Sequence, residues 1–326
     1  MNDAPSSDAP VKRRAAGARR ALPAAALALA ALAALTATGL LGGTGAGAQP
    51  TTTGPSMVVA KVTKGAAAPS VDRRLTFLVI GSDSGAPKFG RGGTAAGGRA
   101  DSIHLVVIDP RARRGVMVGF PRDSYVAIPG HGTGKINSAM VYGGPPLLVR
   151  TVEQYSGIRI DYYALTSFDG LTDLVNAVGG VRVNVERAVV DHAAGADIRP
   201  GRQKLSGPRA LAFSRARKSV PGGDFTRSEH QGQVLVGGLA TFQEQLKRDP
   251  TTLMRWLAAA RREVRLDLPF TEQLRLALVA ARIPPSGIRN VVLPGGAGNA
   301  GGASIVRLAP GAHRLLADAR DGRLGN

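Results

Sequence analysis

The amino-acid sequence predicts an α/β sandwich, because segments typical of buried strands alternate along the chain with segments typical of amphipathic helices. The strand-like segments are short runs rich in Val and Ile, such as 103–108 and 116–120. The longest helix-like segment, over about 225–247, carries a stripe of apolar residues at helical spacing. With 326 residues, the chain is long enough to bury a sizeable core.

The strands are predicted, in order, at 75–80, 103–108, 116–120, 161–165, 181–185 and 291–293. The helices are predicted at 135–144, 146–155, 168–178, 205–217, 225–247, 251–262, 270–282 and 311–320. Gly143 and Gly144 break the first pair of helices, and Gly179 ends the helix at 168–178. Asp224 is predicted to cap the long helix. The Gly-rich segment 85–98 lacks periodicity and is predicted to be a mobile loop.

The first 70 residues predict a membrane anchor and a spacer. Residues 1–20 are polar and basic, and residues 21–41 are uncharged over a length that spans a bilayer as a helix. The basic flank should stay in the cytoplasm, which predicts a single-pass protein of the cell membrane with its C-terminal domain outside. The alternative is a cleaved signal peptide, since residues 46–48 resemble a cleavage site. Residues 42–70, rich in Gly, Thr, Ala and Pro, predict a flexible spacer.

The composition narrows the classes of partner. The net charge is +19 and there is no Cys, so disulfides, zinc–thiolate sites and thiol nucleophiles are excluded. Aromatic residues make up only 4% of the chain, which disfavours nucleic acid as the partner because stacking platforms would be scarce. A phosphate-bearing substrate explains the positive charge as well.

The strands at 103–108 and 116–120 predict a β-hairpin with charged residues at one end. Arg99 and Asp101 precede the first strand, and Arg122 and Asp123 follow the second. Because these positions adjoin in an antiparallel hairpin, two arginines and two carboxylates should meet at one edge of the sheet. Arginines suit phosphate and carboxylates suit Mg²⁺, which predicts a pyrophosphate–metal site. The alternative is a set of structural salt bridges.

A second charged cluster lies at 213–231. Arg215 and Arg217 share a face only where the backbone is extended, since residues two apart in a helix diverge. Arg227, His230 and Gln231 fall at helical spacing on the next helix. A solvated basic face is the alternative interpretation of this cluster.

These stretches resemble the LytR-CpsA-Psr family over roughly residues 75–250. Seven motifs in order carry the resemblance: FLVIGSD, RADSIHLVVIDP, FPRDSYVAIPG, KINSAMVYGG, DYYALTSFDGLTDLVNAVGGVRV, LSGPRALAFSRAR and DFTRSEHQ. The resemblance implies a three-layer α/β/α sandwich around a mixed β-sheet. It places the catalytic domain at 71–250, and residues 251–326 would complete that domain.

The resemblance also implies an activity. Such proteins are phosphotransferases that move a glycopolymer from a polyprenyl-pyrophosphate lipid to peptidoglycan through a phosphodiester. An apolar pocket holds the prenyl chain, arginines at its mouth hold the pyrophosphate, and carboxylates bind Mg²⁺ with it. The polymer stays open between arabinogalactan, a teichoic-type polymer and a capsule.

Residue by residue, the resemblance assigns the metal and pyrophosphate carboxylates to Asp83 and Asp101, either of which would be the base for the acceptor hydroxyl. Catalysis is assigned to this pair with Arg99 and Arg122. The pyrophosphate-binding residues are Arg99, Arg122, Arg215, Arg217 and Gln231. The supporting residues are Asp123, Asp224 and Arg227. Asp123 or Asp224 is expected to orient the arginines.

Two positions depart from the family pattern. Gly85 and His230 stand where the family has arginine, and a neutral His230 should weaken the grip on phosphate. His104, inside an apolar strand, is interpreted as structural. Two other functions remain open: a polyprenyl-pyrophosphate hydrolase with water as acceptor, and a non-catalytic regulatory or binding protein of the cell envelope.

Overall fold

The computed structural model describes residues 57–62, 73–83, 98–218, 220–252, 256, 264–267 and 270–321. The anchor predicted at 21–41 and nearly all of the loop predicted at 85–98 lie outside the described residues, as does most of the helix predicted at 251–262. Within the described part, none of the helices combines the length and apolar character needed to cross a bilayer.

The strands of the described chain are β1 (Met57–Lys61), β2 (Leu75–Ser82), β3 (Ala100–Asp109), β4 (Arg114–Gly119), β5 (Tyr125–Ala127), β6 (Thr133–Lys135), β7 (Tyr162–Ser167), β8 (Val181–Val185), β9 (Val189–Asp191), β10 (Ala196–Ile198), β11 (Gly201–Leu205), β12 (Val264–Asp267), β13 (Ile288–Val292), β14 (Gly295–Ala300) and β15 (Ala303–Leu308). The α-helices are α1 (Ser138–Ser156), α2 (Phe168–Ala177), α3 (Gly207–Arg215), α4 (Asp224–Arg248), α5 (Phe270–Ala280) and α6 (Gly311–Asp321).

The central sheet is mixed. Seven strands lie in the order β12-β1-β7-β2-β3-β4-β13. The pairs β2–β3 and β3–β4 are antiparallel, whereas β2–β7 and β4–β13 are parallel. Every residue of β2 is buried, which is why this strand is a continuous apolar run rather than an alternating one.

Helices cover both faces of the sheet, so the fold is a three-layer α/β/α sandwich. One face carries Phe77, Val79 and Met117 and packs against α2, α3, α4 and α5. The other face carries Leu78 and Leu105 and packs against α1 and α6. Side chains alternate between the faces along each strand, so β2 and β3 contribute to both apolar layers. The predicted sandwich is confirmed.

Several local predictions are confirmed at their positions. The predicted hairpin is the pair β3–β4, in which Ile108 lies opposite Gly115. Helix α2 is capped by the Ser167 side chain, which accepts the N–H of Gly170, and it ends before Gly179 and Gly180, whose φ angles are 78° and 100°. The break at Gly143 and Gly144 is a kink of non-helical backbone inside α1.

Other predictions are wrong. The spacer predicted over 42–70 contains β1, which pairs with β7 and β12 in the central sheet. The helix predicted at 135–144 begins only at Ser138, because Lys135 belongs to a short hairpin with β5. The helix predicted at 205–217 is shorter, since β11 ends at Leu205 and the helix ends at Arg215.

Helix α4 lies close against the sheet, and this contact sets the position of its first turns. A Cβ atom on Gly119 of β4 would lie 2.3 Å from the Ser228 hydroxyl oxygen, so any larger residue there would force the Ser228 side chain to move. His104 of β3 is fully buried and its Nε2 lies 3.0 Å from the carbonyl oxygen of Ser228. Since a carbonyl only accepts, Nε2 donates, and Nδ1 is left to accept from the Ser102 hydroxyl at 3.1 Å. The structural interpretation of His104 is consistent with these contacts.

We predict that His104 makes stability depend on pH below neutrality. Desolvation by burial lowers its pKa from 6.5 to about 4, although the bond to Ser228 opposes the shift. Between these pH values His104 binds a proton in the unfolded chain but stays neutral in the folded chain. The free energy of unfolding therefore falls as the pH falls from 6.5 toward 4. The loss attributable to His104 should reach about 3 kcal/mol.

The test is urea denaturation of the wild type and of His104→Gln between pH 7 and pH 4. The variant should be less stable at pH 7 but should lose less stability as the pH falls. Parallel pH profiles for the two proteins would contradict this assignment.

Candidate functional site

A cavity of about 520 Å³ opens between the sheet and helices α2, α3 and α4. It lies at the end of the sheet where β2 ends and β3 begins, because Gly81, Asp83 and Asp101 line it. Its apolar wall includes Val79, Leu171, Leu211, Val234 and Leu235. Val79 and Val234 belong to the apolar layer beneath, so this wall is continuous with the core.

The charged part of the wall contains most of the predicted site. Seven predicted residues line the cavity: Asp83, Asp101, Arg122, Arg215, Arg217, Arg227 and Gln231. Arg99, Asp123 and Asp224 are not among the residues that line it. We call the set of charged and polar lining residues the mouth of the cavity.

Asp101 and Arg122 confirm the prediction that the residues before the first hairpin strand meet those after the second. Arg122 Nη1 donates to Asp101 Oδ1 at 2.6 Å, and both side chains are mostly buried. Desolvation lowers the pKa of Arg122, but the bond to Asp101 and the nearby carboxylates outweigh it and raise the pKa. Arg122 Nε is buried and has no hydrogen-bond partner among the described residues. A buried donor without a hydrogen bond is costly, and the Asp123 carboxylate, 3.9 Å away, offsets part of that cost through its charge.

Asp83 and Arg99 are joined through the backbone rather than through an ion pair. The N–H of Arg99 donates to Asp83 Oδ1 at 2.7 Å, and the N–H of Asp83 donates to the carbonyl of Arg99 at 3.2 Å. The side chain of Arg99 is exposed, so the structure places it beside the mouth and not in the cavity wall.

Arg215 and Arg217 line the cavity together because the helix ends between them. Helix α3 stops at Arg215, and Ala216 is extended with φ −60° and ψ 124°. Of the two predicted alternatives, the extended one is therefore confirmed. The Arg215 guanidinium lies 5.0 Å from the ring centre of Phe168, a cation–π contact at the start of α2.

Asp224 is not the helix cap that the sequence predicts. Gly223 takes the cap position with φ 53°, and Asp224 is the first residue of α4. Its carboxylate instead accepts from Arg217 Nη1 at 3.3 Å and lies 3.2 Å from Arg227 Nη2. Arg227 is only 5% exposed, and desolvation lowers its pKa while Asp224 opposes that shift. Asp224 thus holds two arginines of the mouth, which agrees with the expected orienting role.

Gln231 and Asp123 make further contacts that hold the residues of the mouth in place. Gln231 Nε2 donates to the carbonyls of Asp101 and Ser214 at 3.1 and 3.3 Å, so it links α4 to β3 and α3. Asp123 Oδ1 lies 3.3 Å from Lys135 Nζ and 3.9 Å from Arg122 Nε. Asp123 therefore adds negative charge behind Arg122.

Two carboxylates of the mouth, Asp83 and Asp101, supply oxygen atoms of the kind that Mg²⁺ binds. No cluster of three or more His, Cys, Asp or Glu side chains suited to a metal occurs in the described part of the chain. Mg²⁺ is commonly bound by only one or two carboxylates, with substrate phosphates and water completing its shell. Asp83 and Asp101 each show one committed oxygen, Oδ1, which leaves Oδ2 for a cation.

His230 lies away from the mouth, which overturns the expectation that it weakens the grip on phosphate. Its ring stacks on Phe213 with the ring centres 4.1 Å apart, and it lines a separate cavity. Burial lowers its pKa to about 4, so it is neutral there. The other departure, Gly85, lies outside the described residues.

Two charged residues of the mouth were missed by sequence reasoning. Lys218 and Asp191 both line the cavity, and Asp191 is 1% exposed. A sequence signal existed for Asp191, because Asp is a preferred residue before a helical turn, and its side chain accepts the N–H groups of Ala193 and Ala194. Its link to the basic residues near 217 could not be read from the sequence.

Comparisons with known proteins find relatives of this chain. The sequence model of the LytR_cpsA_psr family matches residues 48–312. The chain is 38% identical over 172 residues to a probable cell wall biosynthesis protein, LcpB, of Corynebacterium glutamicum. That alignment covers 51% of this chain and 41% of LcpB. It is 34% identical over 205 residues to the polyisoprenyl-teichoic acid–peptidoglycan teichoic acid transferase TagU of Enterococcus faecalis, which covers 62% of this chain and 64% of that protein. The chain thus spans less than two thirds of the length of either relative.

A solved structure shows the same fold. The crystal structure of Bacillus subtilis TagV superposes with a TM-score of 0.61 at 25% sequence identity, covering 77% of this chain and 98% of the other. The mixed sheet between two helical layers is therefore the fold of a known group of cell wall proteins.

We predict that Asp224→Asn destabilises the fold, because it leaves the buried Arg227 without its carboxylate. The free energy of unfolding should fall by about 3 kcal/mol, as when one partner of a buried ion pair is removed. Urea denaturation at pH 7 measures the change.

The matched control is Glu244→Gln on the same helix. Glu244 pairs with Arg182 and Arg248, whose side chains are 51% and 71% exposed. This control should cost less than about 1 kcal/mol, since exposed ion pairs contribute little. If the two variants lost the same free energy of unfolding, the burial of Arg227 would not be the reason that Asp224 stabilises the fold.

Proposed function

The chain belongs to the LytR-CpsA-Psr family, and on this premise we propose that it is a phosphotransferase that moves a glycopolymer from a polyprenyl-pyrophosphate donor to peptidoglycan. One observation carries the proposal: a single cavity joins an apolar wall to a mouth of arginines and carboxylates. A polyprenyl pyrophosphate has the matching two parts, an apolar chain and a doubly phosphorylated head. The Enterococcus relative is named a polyisoprenyl-teichoic acid–peptidoglycan teichoic acid transferase, which supports the same conclusion.

The arginines of the mouth would bind the pyrophosphate and neutralise its charge. Arg122, Arg217 and Arg227 are already fixed by ion pairs with Asp101 and Asp224, so little ordering is required when the ligand arrives. Phosphoryl transfer depends chiefly on such positioning and on charge stabilisation.

The proposed reaction makes one phosphodiester and breaks one phosphoanhydride. The acceptor hydroxyl oxygen attacks the phosphorus that carries the glycopolymer, the P–O–P bond breaks, and polyprenyl phosphate leaves. The hydroxyl proton goes to a carboxylate, for which Asp83 and Asp101 are the candidates at the mouth. These two residues would also hold Mg²⁺, which would supply further neutralisation of the pyrophosphate charge.

We also propose that the protein resides in the cell membrane. A helix over residues 21–41 would anchor the chain in the cell membrane, where the lipid donor resides, with the catalytic domain outside. The Lys and Arg residues that precede this segment support that orientation.

The experiment that tests the function combines the protein with Mg²⁺, a synthetic polyprenyl-pyrophosphate oligosaccharide and peptidoglycan oligomers. Mass spectrometry should find a sugar-phosphate-peptidoglycan adduct and free polyprenyl phosphate. Asp101→Ala should lower the rate at least about a hundredfold, because it removes a carboxylate of the mouth and the partner of Arg122.

The matched control is Asp109→Ala, at the opposite end of the same strand. Asp109 pairs with Arg74, whose side chain is 45% exposed, so the rate should stay within about twofold of the wild type. Release of polyprenyl phosphate without an adduct would support the hydrolase instead. Absence of any turnover, together with tight lipid binding, would support a binding protein.

A further inference from the structure

Asp191 is a buried carboxylate bonded only to backbone in the described structure. Its Oδ2 accepts the N–H groups of Arg217 and Lys218, each at 2.7 Å. Its Oδ1 accepts the N–H groups of Ala193 and Ala194 at 3.0 and 3.2 Å. Four donors thus converge on a side chain that is 1% exposed.

These four bonds join two walls of the cavity. Ala193 and Ala194 form a single 3₁₀ turn after β9 and line the cavity on one side. Arg217 and Lys218 follow the end of α3 and supply basic side chains to the mouth. Because the helix has ended, the N–H groups of these two residues bond to Asp191 and not to a preceding helical turn.

Arg217 is therefore held by two different carboxylates. Asp191 binds its backbone, whereas Asp224 binds its guanidinium at 3.3 Å. A side chain as long as arginine adopts many rotamers, so fixing only the guanidinium leaves the position of its main chain undetermined. Asp191 removes that freedom.

We propose that Asp191 is a positioning residue for the pyrophosphate-binding mouth, in that it holds Arg217 and Lys218 where their side chains face the ligand. This inference rests on the proposed function. It assigns Asp191 no contact with the reacting atoms.

Ionisation of Asp191 is compatible with this role across the physiological range. Hydrogen bonds from the N–H groups of Arg217 and Lys218 hold the pKa of its carboxyl below the usual value, although burial opposes the shift. Asparagine cannot replace it, because its single carbonyl oxygen serves one pair of donors and its amide N–H groups would then face the other pair.

The test compares the wild type, Asp191→Asn and the control Asp197→Asn. Asp197 lies on β10, paired to β9 beside Asp191, and is exposed. Farnesyl pyrophosphate with Mg²⁺ is the probe, and its binding is measured by calorimetry. Asp191→Asn should raise the Kd about tenfold or more, as for the loss of one well-placed charged contact. Asp197→Asn should leave the Kd within about twofold of the wild type.

Hydrogen exchange and kinetics separate positioning from a merely structural role. The amides of Arg217 and Lys218 should exchange faster in Asp191→Asn, with the core amides of β2 and β3 unchanged. In turnover, the KM for the lipid donor should rise while kcat stays within about twofold. A smaller folded fraction would instead lower kcat at an unchanged KM.

A second pair of variants covers the case in which Asp191→Asn does not fold. Lys218→Pro removes one N–H from the cluster, whereas Lys218→Ala keeps that N–H and removes the side chain beyond Cβ, including its ammonium group. The proline variant should bind the probe more weakly than the alanine variant. Equal affinities in this pair, or an unchanged Kd in Asp191→Asn, would overturn the inference while leaving the proposed function intact. A wild-type chain that does not bind the probe would overturn both.

Discussion

The structure of the mouth depends on the compensation of buried positive charge. Arg227 is 5% exposed, and a guanidinium so far removed from water is stable only beside a carboxylate. Asp224 supplies that carboxylate and shares it with Arg217, while Asp101 does the same for Arg122. The arginines are therefore fixed before any ligand binds. A site prepared in this way loses little entropy on binding an anion.

Strand pairing and helix packing bring the charged residues of the mouth together from distant parts of the chain. The antiparallel pairing of β3 with β4 brings Asp101 to Arg122, and the contact of α4 with the sheet brings Arg227 to both. His104 and Gly119 allow that contact, the first through its bond to Ser228 and the second through its lack of a side chain. Because α4 also supplies Val234 to the apolar wall, one helix positions both halves of the cavity. A ligand with an apolar chain and a charged head matches this arrangement.

The sequence predicted those parts of the fold whose signal is local. The buried strands β2, β3 and β4 are continuous apolar runs, and α2 carries both its cap and its terminal glycines, so their pattern is visible within ten residues or so. Strand β1 carries a weaker signal, since its apolar run is only Met57–Ala60. It is five residues long, lies among Gly-, Thr- and Ala-rich segments, and becomes a strand only by pairing with β7 and β12.

The site was predictable where its contacts join two charged side chains, and not where a side chain binds the backbone. Opposite charges at one end of a hairpin, before its first strand and after its second, indicate the pair Asp101–Arg122, which the structure confirms. Asp224 was misassigned because an acidic residue at the start of a helix has two uses, capping the backbone and binding arginine, and Gly223 had already taken the first. Asp191 was missed because its partners are backbone N–H groups, which every residue except proline possesses.

The most direct test of the central claim is a crystal structure of the protein with farnesyl pyrophosphate and Mg²⁺. The account predicts the prenyl chain against Val79, Leu171 and Val234, with the pyrophosphate in contact with Arg122 and Arg217. A pyrophosphate bound elsewhere, or a prenyl chain outside this cavity, would contradict the claim that the cavity and its mouth form one lipid-pyrophosphate site.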